Sequence, residues 1–338
     1  MLHDNPVTIL CAHRVIDGAG RKSVLDEMYL KGSQLELADL EKKLGFLKKK
    51  YKFISISDYL KAFENGKRLP ANSLILTFDD GYIEHYNDVY PLLKRLGIPA
   101  SFFIATDYVS ETDCKWDDKI AAMIARAKVK EFVLDTHLTG KRKFEIGNVE
   151  GKARAAGYLW RALKYAGVDE RTDLICDLEK ALGLTGSGSD NGAYRMTVSW
   201  ENVKALADDP LMEVGAHTRT HPVLAGLTDE ELRDELSASK KEIEERTGKT
   251  VSVLCYPYGK KYDYDERAKK FAKDAGFRAA LSLDYGRNNG GTDLFALRRL
   301  PLLPEPMTIF KVRLSGILDF ISAKRESVSH ARAAVHQD

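Results

Sequence analysis

The chain has 338 residues, of which 44% are hydrophobic, so it can bury the core of one large barrel or of about two smaller domains. Its 52 lysines and arginines and 50 aspartates and glutamates leave a formal charge of +2, which provides no strong field for nucleic acid or an anionic membrane surface. The four cysteines show no CxxC spacing, which argues against a zinc ribbon and a disulfide framework.

The first residues of the sequence bear on cellular location. They lack the basic segment and the long apolar segment of a secretory signal peptide. No later stretch reaches the length that a helix needs to cross a bilayer, so we predict no transmembrane segment. The sequence therefore predicts a cytoplasmic protein.

The chain begins with a short apolar run followed by a helical pattern. Residues 7–12 are predicted to form a buried strand that ends at His13. Over residues 37–50, leucines recur at helical spacing and three lysines follow, which is typical of an amphipathic helix with a basic C-terminus. Residues 53–56 are predicted as a second strand, and Ser57 as the N-cap of a short helix.

The next apolar run, residues 74–78, stops at two adjacent carboxylates and a glycine. Asp79 and Asp80 therefore lie at the carboxyl end of a predicted strand, which is where α/β folds bind ligands. Adjacent carboxylates repel each other unless a cation, usually a metal, holds one of them. A turn that uses Asp and Gly for its backbone conformation is the alternative. A helix and a strand at residues 99–105 follow, a unit typical of parallel sheets.

Residues 110–195 interrupt this alternation. Helices are predicted at residues 116–127, 152–165 and 171–182, followed by a flexible-looking linker at residues 185–189. We therefore predict a mainly helical insertion, which could form a lid over the site.

The alternation resumes after the insertion. A strand at residues 212–216 leads into His217, and a capping box at Thr228 opens a long helix. Further strands are predicted at residues 251–255, 278–283 and 295–300, and a final helix at residues 307–321.

His217 and His221 have a spacing that can direct two imidazoles at one metal ion. With a carboxylate from the earlier strand end they would complete a set of two histidines and one carboxylate, which leaves coordination positions open for water and substrate. Such a histidine pair also occurs by chance. Its position after a strand, like that of the carboxylates, favours a metal site.

The sequence contains three short motifs: Thr-Phe-Asp-Asp-Gly at 77–81, His-Thr-Arg-Thr-His at 217–221 and Tyr-Pro-Tyr-Gly at 256–259. These motifs resemble those of the polysaccharide deacetylases, also called the NodB-homology or carbohydrate esterase family 4 domain. The resemblance covers roughly residues 7–107 and 198–303, outside the insertion. It implies one catalytic domain over residues 1–338, folded as an α/β protein: a distorted (β/α) barrel of about seven parallel strands, with the insertion at 110–195.

The resemblance also implies roles for individual residues. Asp80, His217 and His221 would hold a divalent metal, usually zinc, with Co²⁺, Mn²⁺, Ni²⁺ or Fe²⁺ as alternatives. Asp79 would stay unliganded and act as general base for the attacking water, whose pKa the metal lowers. The backbone N–H of Tyr258 would help to stabilise the oxyanion, with a simple wall position as the alternative for this residue.

Two departures from the family pattern direct attention to Arg299 and His13. Many relatives carry an arginine in the third motif that orients the catalytic aspartate, but none lies near Tyr256. Arg299 is the candidate replacement, with a surface ion pair as the alternative. The late Leu-x-His motif that supplies the general acid in many relatives is also missing. Some relatives carry a similar histidine-containing segment on the first strand, so the resemblance makes His13 the candidate that protonates the leaving amine. A structural role beside the site is its alternative.

The sequence thus predicts a metal-dependent hydrolase that removes N-acetyl groups from amino sugars of a polysaccharide, glycan or glycolipid precursor. Its expected partner is a carbohydrate with an N-acetylated amino sugar, and no nucleic acid is expected. A hydrolase of cyclic imides or ureides from the same superfamily is one alternative. A carbohydrate-binding protein without turnover is another, although a binding protein has no need for a base beside a metal.

Overall fold

A computed structural model of the protein describes residues 5–18, 23–30, 34–109, 114–184 and 196–316. The predicted linker at 185–189 lies outside these ranges. The chain divides into two compact units, Met1–Leu302 and Leu303–Asp338. The expectation of one catalytic domain over the whole chain stays a prediction.

Strands and helices alternate along most of the described chain. The strands are β1 (Thr8–Ala12), β2 (Val15–Ile16), β3 (Leu35–Glu36), β4 (Lys52–Phe53), β5 (Ser73–Phe78), β6 (Ala100–Ile104), β7 (Glu131–Thr136), β8 (Gly140–Glu145), β9 (Met212–Ala216), β10 (Val253–Cys255), β11 (Ala279–Tyr285) and β12 (Leu297–Pro301). The α-helices are α1 (Val24–Leu30), α2 (Leu37–Lys50), α3 (Ile56–Glu64), α4 (Tyr90–Leu96), α5 (Trp116–Arg126), α6 (Val149–Leu163), α7 (Val168–Ala181), α8 (Trp200–Asp208), α9 (Asp229–Thr247), α10 (Glu266–Asp274) and α11 (Met307–Leu314).

Seven parallel strands close into a barrel, which confirms the predicted fold class. The order around the ring is β1, β12, β11, β10, β9, β6 and β5, and β5 pairs with β1 to complete it. Leu10 of β1 lies opposite Leu76 on one side and Leu300 on the other. Because all seven strands run in one direction, the loops that follow them meet at one end of the barrel.

Inward-facing apolar side chains fill the barrel. They form one buried cluster with members from six of the seven strands: Ile9, Ile75, Phe103, Val253, Cys255, Ala279, Leu281 and Leu297. On β9, a Cβ added to Gly215 would lie 2.4 Å from a ring carbon of Phe103. The glycine therefore makes room for the phenylalanine ring, which is fully buried.

The boundary between β4 and α3 differs from the prediction. The strand ends at Phe53, and the N-cap is Ser55, whose hydroxyl accepts a backbone hydrogen bond from the first turn of α3. The carboxylate of Glu213 on β9 accepts hydrogen bonds from the backbone N–H groups of Ile56 and Ser57, both at 3.1 Å. The predicted cap, Ser57, therefore lies inside the helix, because a distant carboxylate satisfies its amide.

The described part of the insertion, residues 114–184, contains three helices, as predicted, and one antiparallel hairpin that was not predicted. Its helices are α5, α6 and α7, and the hairpin pairs β7 with β8, with Phe132 opposite Phe144. Buried Phe132 and Leu134 flank exposed Val133, which is the alternation of a half-buried strand. The insertion packs around an apolar cluster to which Met28 of α1 also belongs. Its members from the insertion include Ile120, Ile124, Leu159, Leu163, Leu174 and Leu178.

The last described helix, α11, lies in the second unit and confirms the first part of the helix predicted over residues 307–321. The end of that prediction falls outside the described residues. Among the helices of the described ranges, none is both long and apolar enough to cross a membrane.

Candidate active site

The residues predicted for the site gather at the carboxyl-terminal end of the barrel strands. Each belongs to a strand or to the segment that follows it: His13 after β1, Asp79 and Asp80 after β5, His217 and His221 after β9, Tyr258 after β10, and Arg299 within β12. Parallel strand ends therefore bring together residues that are far apart in the sequence.

The Arg299 guanidinium holds Asp79 through both carboxylate oxygens. Arg299 Nη1 donates to Oδ1 at 2.8 Å, and Nη2 lies 2.8 Å from Oδ2. Arg299 is 0% exposed, so the alternative of a surface ion pair is wrong. Burial alone would raise the pKa of Asp79, but Arg299, with smaller contributions from His217 and His13, lowers it to about 2. Asp79 is therefore an ionised carboxylate whose orientation is fixed.

Asp80 faces the two histidines with one oxygen. Its Oδ1 lies 3.5 Å from His217 Nε2 and 3.2 Å from His221 Nε2. This oxygen is buried and has no hydrogen-bond partner. One ligand atom from each of the three side chains lies within 4.8 Å of the others. A buried acceptor facing two imidazole nitrogens is the arrangement that a divalent cation would complete.

The hydrogen bond of His217 and the lowered pKa of His221 both suit metal binding. His217 Nδ1 donates a hydrogen bond to the Cys255 carbonyl oxygen at 2.7 Å, which directs the Nε2 lone pair toward Asp80. Burial, assisted by the Lys115 ammonium, lowers the pKa of His221 to about 3. His221 is therefore a neutral imidazole with a lone pair available for a metal. The donor set of Asp80, His217 and His221 fits zinc and related divalent metals.

Backbone strain is concentrated around this donor set. Positive φ angles occur at Asp80 (79°), Thr218 (63°), His221 (55°) and Tyr258 (58°). Among the described residues, Asn72 is the fifth non-glycine residue with a positive φ; its φ of 55° is a conformation that asparagine tolerates well. Such φ angles cost free energy and persist where surrounding contacts enforce them, which is common at functional sites.

A second metal-ligand grouping, Asp79 with His217 and Cys255, is a poor metal site. Both oxygens of Asp79 already contact Arg299, whose Nη2 also lies 3.0 Å from the Cys255 sulfur. Burial raises the pKa of the Cys255 thiol well above its usual range, against the opposing effect of Arg299. Cys255 therefore remains a protonated thiol, whereas metals bind the thiolate.

His13 lies beside Asp79, on the cleft side. Its Nε2 is 3.8 Å from Asp79 Oδ2, and its side chain is 36% exposed. The surrounding protein desolvates the imidazole and lowers its pKa, and Asp80 and Asp79 oppose this shift. His13 is therefore neutral near pH 7, within a short movement of the carboxylate. Its carbonyl oxygen is 2.8 Å from Nε2 of buried His85, which fixes the end of β1.

The Tyr258 side chain packs against a predicted metal ligand. Its ring centroid lies 4.9 Å from that of His221, with the rings 64° apart. The wall position considered for this residue therefore agrees with the structure. The oxyanion role of its backbone N–H stays a prediction.

Lys115 of the insertion was not predicted as a site residue. Its buried ammonium lies 2.9 Å from Asp80 Oδ2, and Asp117 and Asp118 are 3.8 and 4.0 Å away. Burial opposes the ionisation of Asp80, but Lys115 and the two histidines outweigh it and hold the pKa of Asp80 well below its usual range. The sequence signal was a lysine directly before the predicted helix at 116–127, which an exposed helix terminus explains equally well.

The site opens into a cleft of about 620 Å³ between the barrel and the insertion. His13, Asp80, His221 and Tyr258 line it from the barrel, and Lys115 and Trp160 line it from the insertion. A smaller cavity of about 160 Å³ beside Glu213 contains none of these residues. The larger cleft can therefore bring a substrate to the donor set.

Comparison with known proteins gives a family match across most of the site. The family described as "Polysaccharide deacetylase" matches residues 66–140 and 167–280, which include Asp79, Asp80, His217, His221 and Tyr258.

Two curated relatives match parts of the chain. YxkH from Bacillus subtilis (strain 168), which carries the polysaccharide deacetylase name, is 19% identical over 238 residues, 70% of this chain and 54% of YxkH. The poly-beta-1,6-N-acetyl-D-glucosamine N-deacetylase of Staphylococcus aureus (strain MSSA476) is 31% identical over 117 residues, 34% of this chain and 37% of the relative. The chain thus spans about half or less of the length of these relatives.

Two solved structures share the fold. The deacetylase PplD of Streptococcus pyogenes, in complex with acetate, gives a TM-score of 0.56 at 16% identity and covers 90% of this chain and 95% of its own. IcaB from Ammonifex degensii gives 0.55 at 18% identity, with 90% and 94% covered. At these identities the similarity shows a shared barrel fold.

Proposed function

Because the chain belongs to the polysaccharide deacetylase family, we propose that it is a metal-dependent hydrolase that removes acetyl groups from N-acetylated amino sugars of a glycan. One observation carries the proposal: two adjacent carboxylates have different partners. Asp79 is held by Arg299, and Asp80 presents an unpartnered oxygen to His217 and His221. A base beside an open donor set is the arrangement that amide hydrolysis requires.

Asp80, His217 and His221 would hold the metal. A divalent metal bound there would supply Lewis acidity, which lowers the pKa of water and polarises the acetamide carbonyl. The identity of the metal is open among zinc, Co²⁺, Mn²⁺, Ni²⁺ and Fe²⁺. Asp79 would accept a proton from the attacking water while Arg299 keeps its carboxylate aimed at the cleft.

His13 is proposed as the residue that delivers this proton to the leaving amine. Since the imidazole is neutral, it has no spare acidic proton before the reaction starts. A proton taken up by Asp79 could pass from Oδ2 to His13 Nε2, 3.8 Å away, and then to the amine nitrogen as the C–N bond breaks. The backbone N–H of Tyr258 is proposed as a donor to the oxyanion.

The substrate class is proposed from a relative. The Staphylococcus aureus protein is named for poly-β-1,6-N-acetyl-D-glucosamine, so oligomers of this sugar are the first substrates to test. The cytoplasmic location predicted from the sequence remains a proposal, which fractionation of the native protein tests.

The decisive experiment is acetate release from β-1,6-linked N-acetylglucosamine oligomers by the metal-reconstituted protein. We expect release by the wild type and its loss in both Asp79→Asn and His217→Ala. The proposal fails if the wild type binds stoichiometric metal and releases no acetate from any N-acetylated glycan offered.

The same preparation distinguishes the alternatives. Opening of an imide or ureide ring without acetate release would identify a cyclic amide hydrolase. Glycan binding without any hydrolysis would identify a carbohydrate-binding protein.

A further inference from the structure

Exposed aromatic side chains gather at the outer part of the cleft, near Lys164 at the end of α6. Tyr165 and Tyr262 are 62% and 61% exposed, and Trp160 is 36% exposed. The Lys164 ammonium lies 4.9 Å from the ring centroid of Tyr165 and 5.5 Å from that of Tyr262. Concentrated exposed aromatic surface at the edge of a cleft marks a binding surface.

This aromatic surface is continuous with the metal-ligand set. The Tyr258 ring lies 4.9 Å from His221 and 6.2 Å from Trp160, centroid to centroid. Trp160 and Tyr258 both line the cleft. The Tyr258 ring thus lies between Trp160 and a predicted metal ligand. A chain of linked sugar rings could therefore contact Trp160 while one of its units lies at the predicted metal site.

A buried ion pair fixes α6 against the barrel. Lys164 Nζ lies 2.7 Å from Asp263 Oδ1, and the two side chains are largely buried. Asp263 Oδ2 accepts a hydrogen bond from the backbone N–H of Lys260, just after the third motif. Because separating a buried ion pair is costly, this pair holds α6 at the wall of the cleft.

We propose that Trp160, with Tyr258 beside it, forms a subsite for a second sugar unit of the glycan, next to the unit whose acetyl group is removed. The apolar C–H face of a pyranose ring packs on the face of an aromatic side chain, and Trp offers the largest such face. The inference rests on the proposed function and extends it: the enzyme selects oligomeric chains over the free N-acetyl sugar.

The test compares binding of N-acetylglucosamine and its β-1,6-linked trimer to the metal-loaded Asp79→Asn protein. In that background we expect Trp160→Ala to weaken trimer binding by roughly tenfold, the scale expected when the apolar face of one sugar ring loses its contact with an aromatic side chain. Binding of the free sugar should change less than about twofold, and Trp160→Phe should recover most of the trimer affinity.

Trp200→Ala is the matched control, because Trp200 on α8 is half-buried and does not line the cleft. It should leave both affinities unchanged. Thermal melts of all variants exclude unfolding as the cause of lost binding.

The outcomes separate this inference from the proposed function. Equal trimer affinity with and without Trp160, in a protein whose wild type releases acetate, overturns the subsite and leaves the function intact. Trimer binding that depends on Trp160, with no acetate release by the wild type, overturns the function and retains the subsite. Absence of trimer binding to every variant overturns the subsite, and acetate release by the wild type then decides the function separately.

Discussion

The barrel side and the insertion side of the cleft hold their charged groups in different ways. On the barrel side, Arg299 lies within β12 and Asp79 directly follows β5, so the register of one closed ring fixes them together. On the insertion side, two lysines reach across to barrel carboxylates: Lys115 to Asp80, and Lys164 to Asp263. The barrel thus contains the residues proposed to catalyse the reaction, whereas the insertion, most of whose apolar side chains pack in a different cluster, adds charge and shape to the cleft.

The largest expected effect separates the two adjacent carboxylates of the barrel side. Asp79→Asn should lower kcat by about 10²–10⁴-fold, the usual contribution of a general base, with metal affinity nearly unchanged. Asp80→Asn removes a predicted ligand and should instead lower metal affinity. The loss should exceed the roughly 10–100-fold that follows when a residue that only contacts a ligand is mutated. Calorimetric metal titration alongside acetate release measures both. Similar metal loss in the two variants would contradict the division of roles.

Arg299→Met tests the buried ion pair within the barrel. It leaves a buried carboxylate without its partner and should lower the free energy of unfolding by about 3–5 kcal/mol. The matched control is Arg278→Met, because Arg278 pairs with exposed Glu64 and should cost less than about 1 kcal/mol. Denaturant unfolding measures both variants. Equal, small losses would show that the barrel does not depend on this pair.

The same variant gives a pH dependence with a definite sign. Asp79 has its pKa lowered from 3.8 to about 2 in the folded protein, so its stabilisation is present above about pH 4 and is lost as the pH falls toward 2. This contribution is about 2 kcal/mol. Arg299→Met should flatten that part of the curve of unfolding free energy against pH. It should also move the acidic limb of the pH–rate profile to higher pH, because only the smaller effects of His217 and His13 then oppose the rise that burial causes in the pKa of Asp79.

Much of the barrel side could be predicted from the sequence, because its signals are local. The run before Asp79 and the spacing of His217 and His221 are short patterns, and parallel strand ends converge by geometry. The partner of Asp79 was harder to predict, since 220 residues separate it from Arg299. It could be proposed only because the resemblance implied a missing arginine.

The insertion side could not be predicted in the same way. The sequence around Lys115 is equally consistent with an exposed helix terminus, and its contact with Asp80 depends on how the insertion packs. The hairpin was missed because its polar faces resemble a loop: most side chains of β8 are exposed. Lys164 and Trp160 belong to a segment that was predicted only as a helix. Which face of that helix points to the cleft depends on the contact of Lys164 with Asp263, about a hundred residues later, so it could not be predicted from the local sequence.

Lys115→Met tests whether the charge of this lysine affects metal binding by Asp80, His217 and His221. An ammonium next to Asp80 repels a dication, so its removal should tighten metal binding by about tenfold. Without Lys115 the metal-free protein should melt at a lower temperature, because Asp80, Asp117 and Asp118 lose their shared cation. Added metal should restore the melting temperature. Lys241→Met, on an exposed part of α9, is the control and should change neither quantity. Weaker metal binding would mean that Lys115 mainly orients Asp80.

The smallest expected effect concerns the ion pair that holds α6 against the barrel, and it requires a double-mutant cycle. Lys164→Met alone leaves the buried Asp263 carboxylate without its cation and should destabilise the protein; Asp263→Asn alone leaves the lysine without its anion. The double variant removes both charges, so it should be more stable than the sum of the two single losses by about 1 kcal/mol. In this double variant the KM for the β-1,6-linked trimer should rise a few-fold, while metal affinity and hydrolysis of a small aryl acetate stay unchanged. Additive stability losses, or a parallel fall in aryl acetate hydrolysis, would contradict this expectation. Either result would mean that α6 also supports the residues of the barrel site, so that the two sides of the cleft depend on each other.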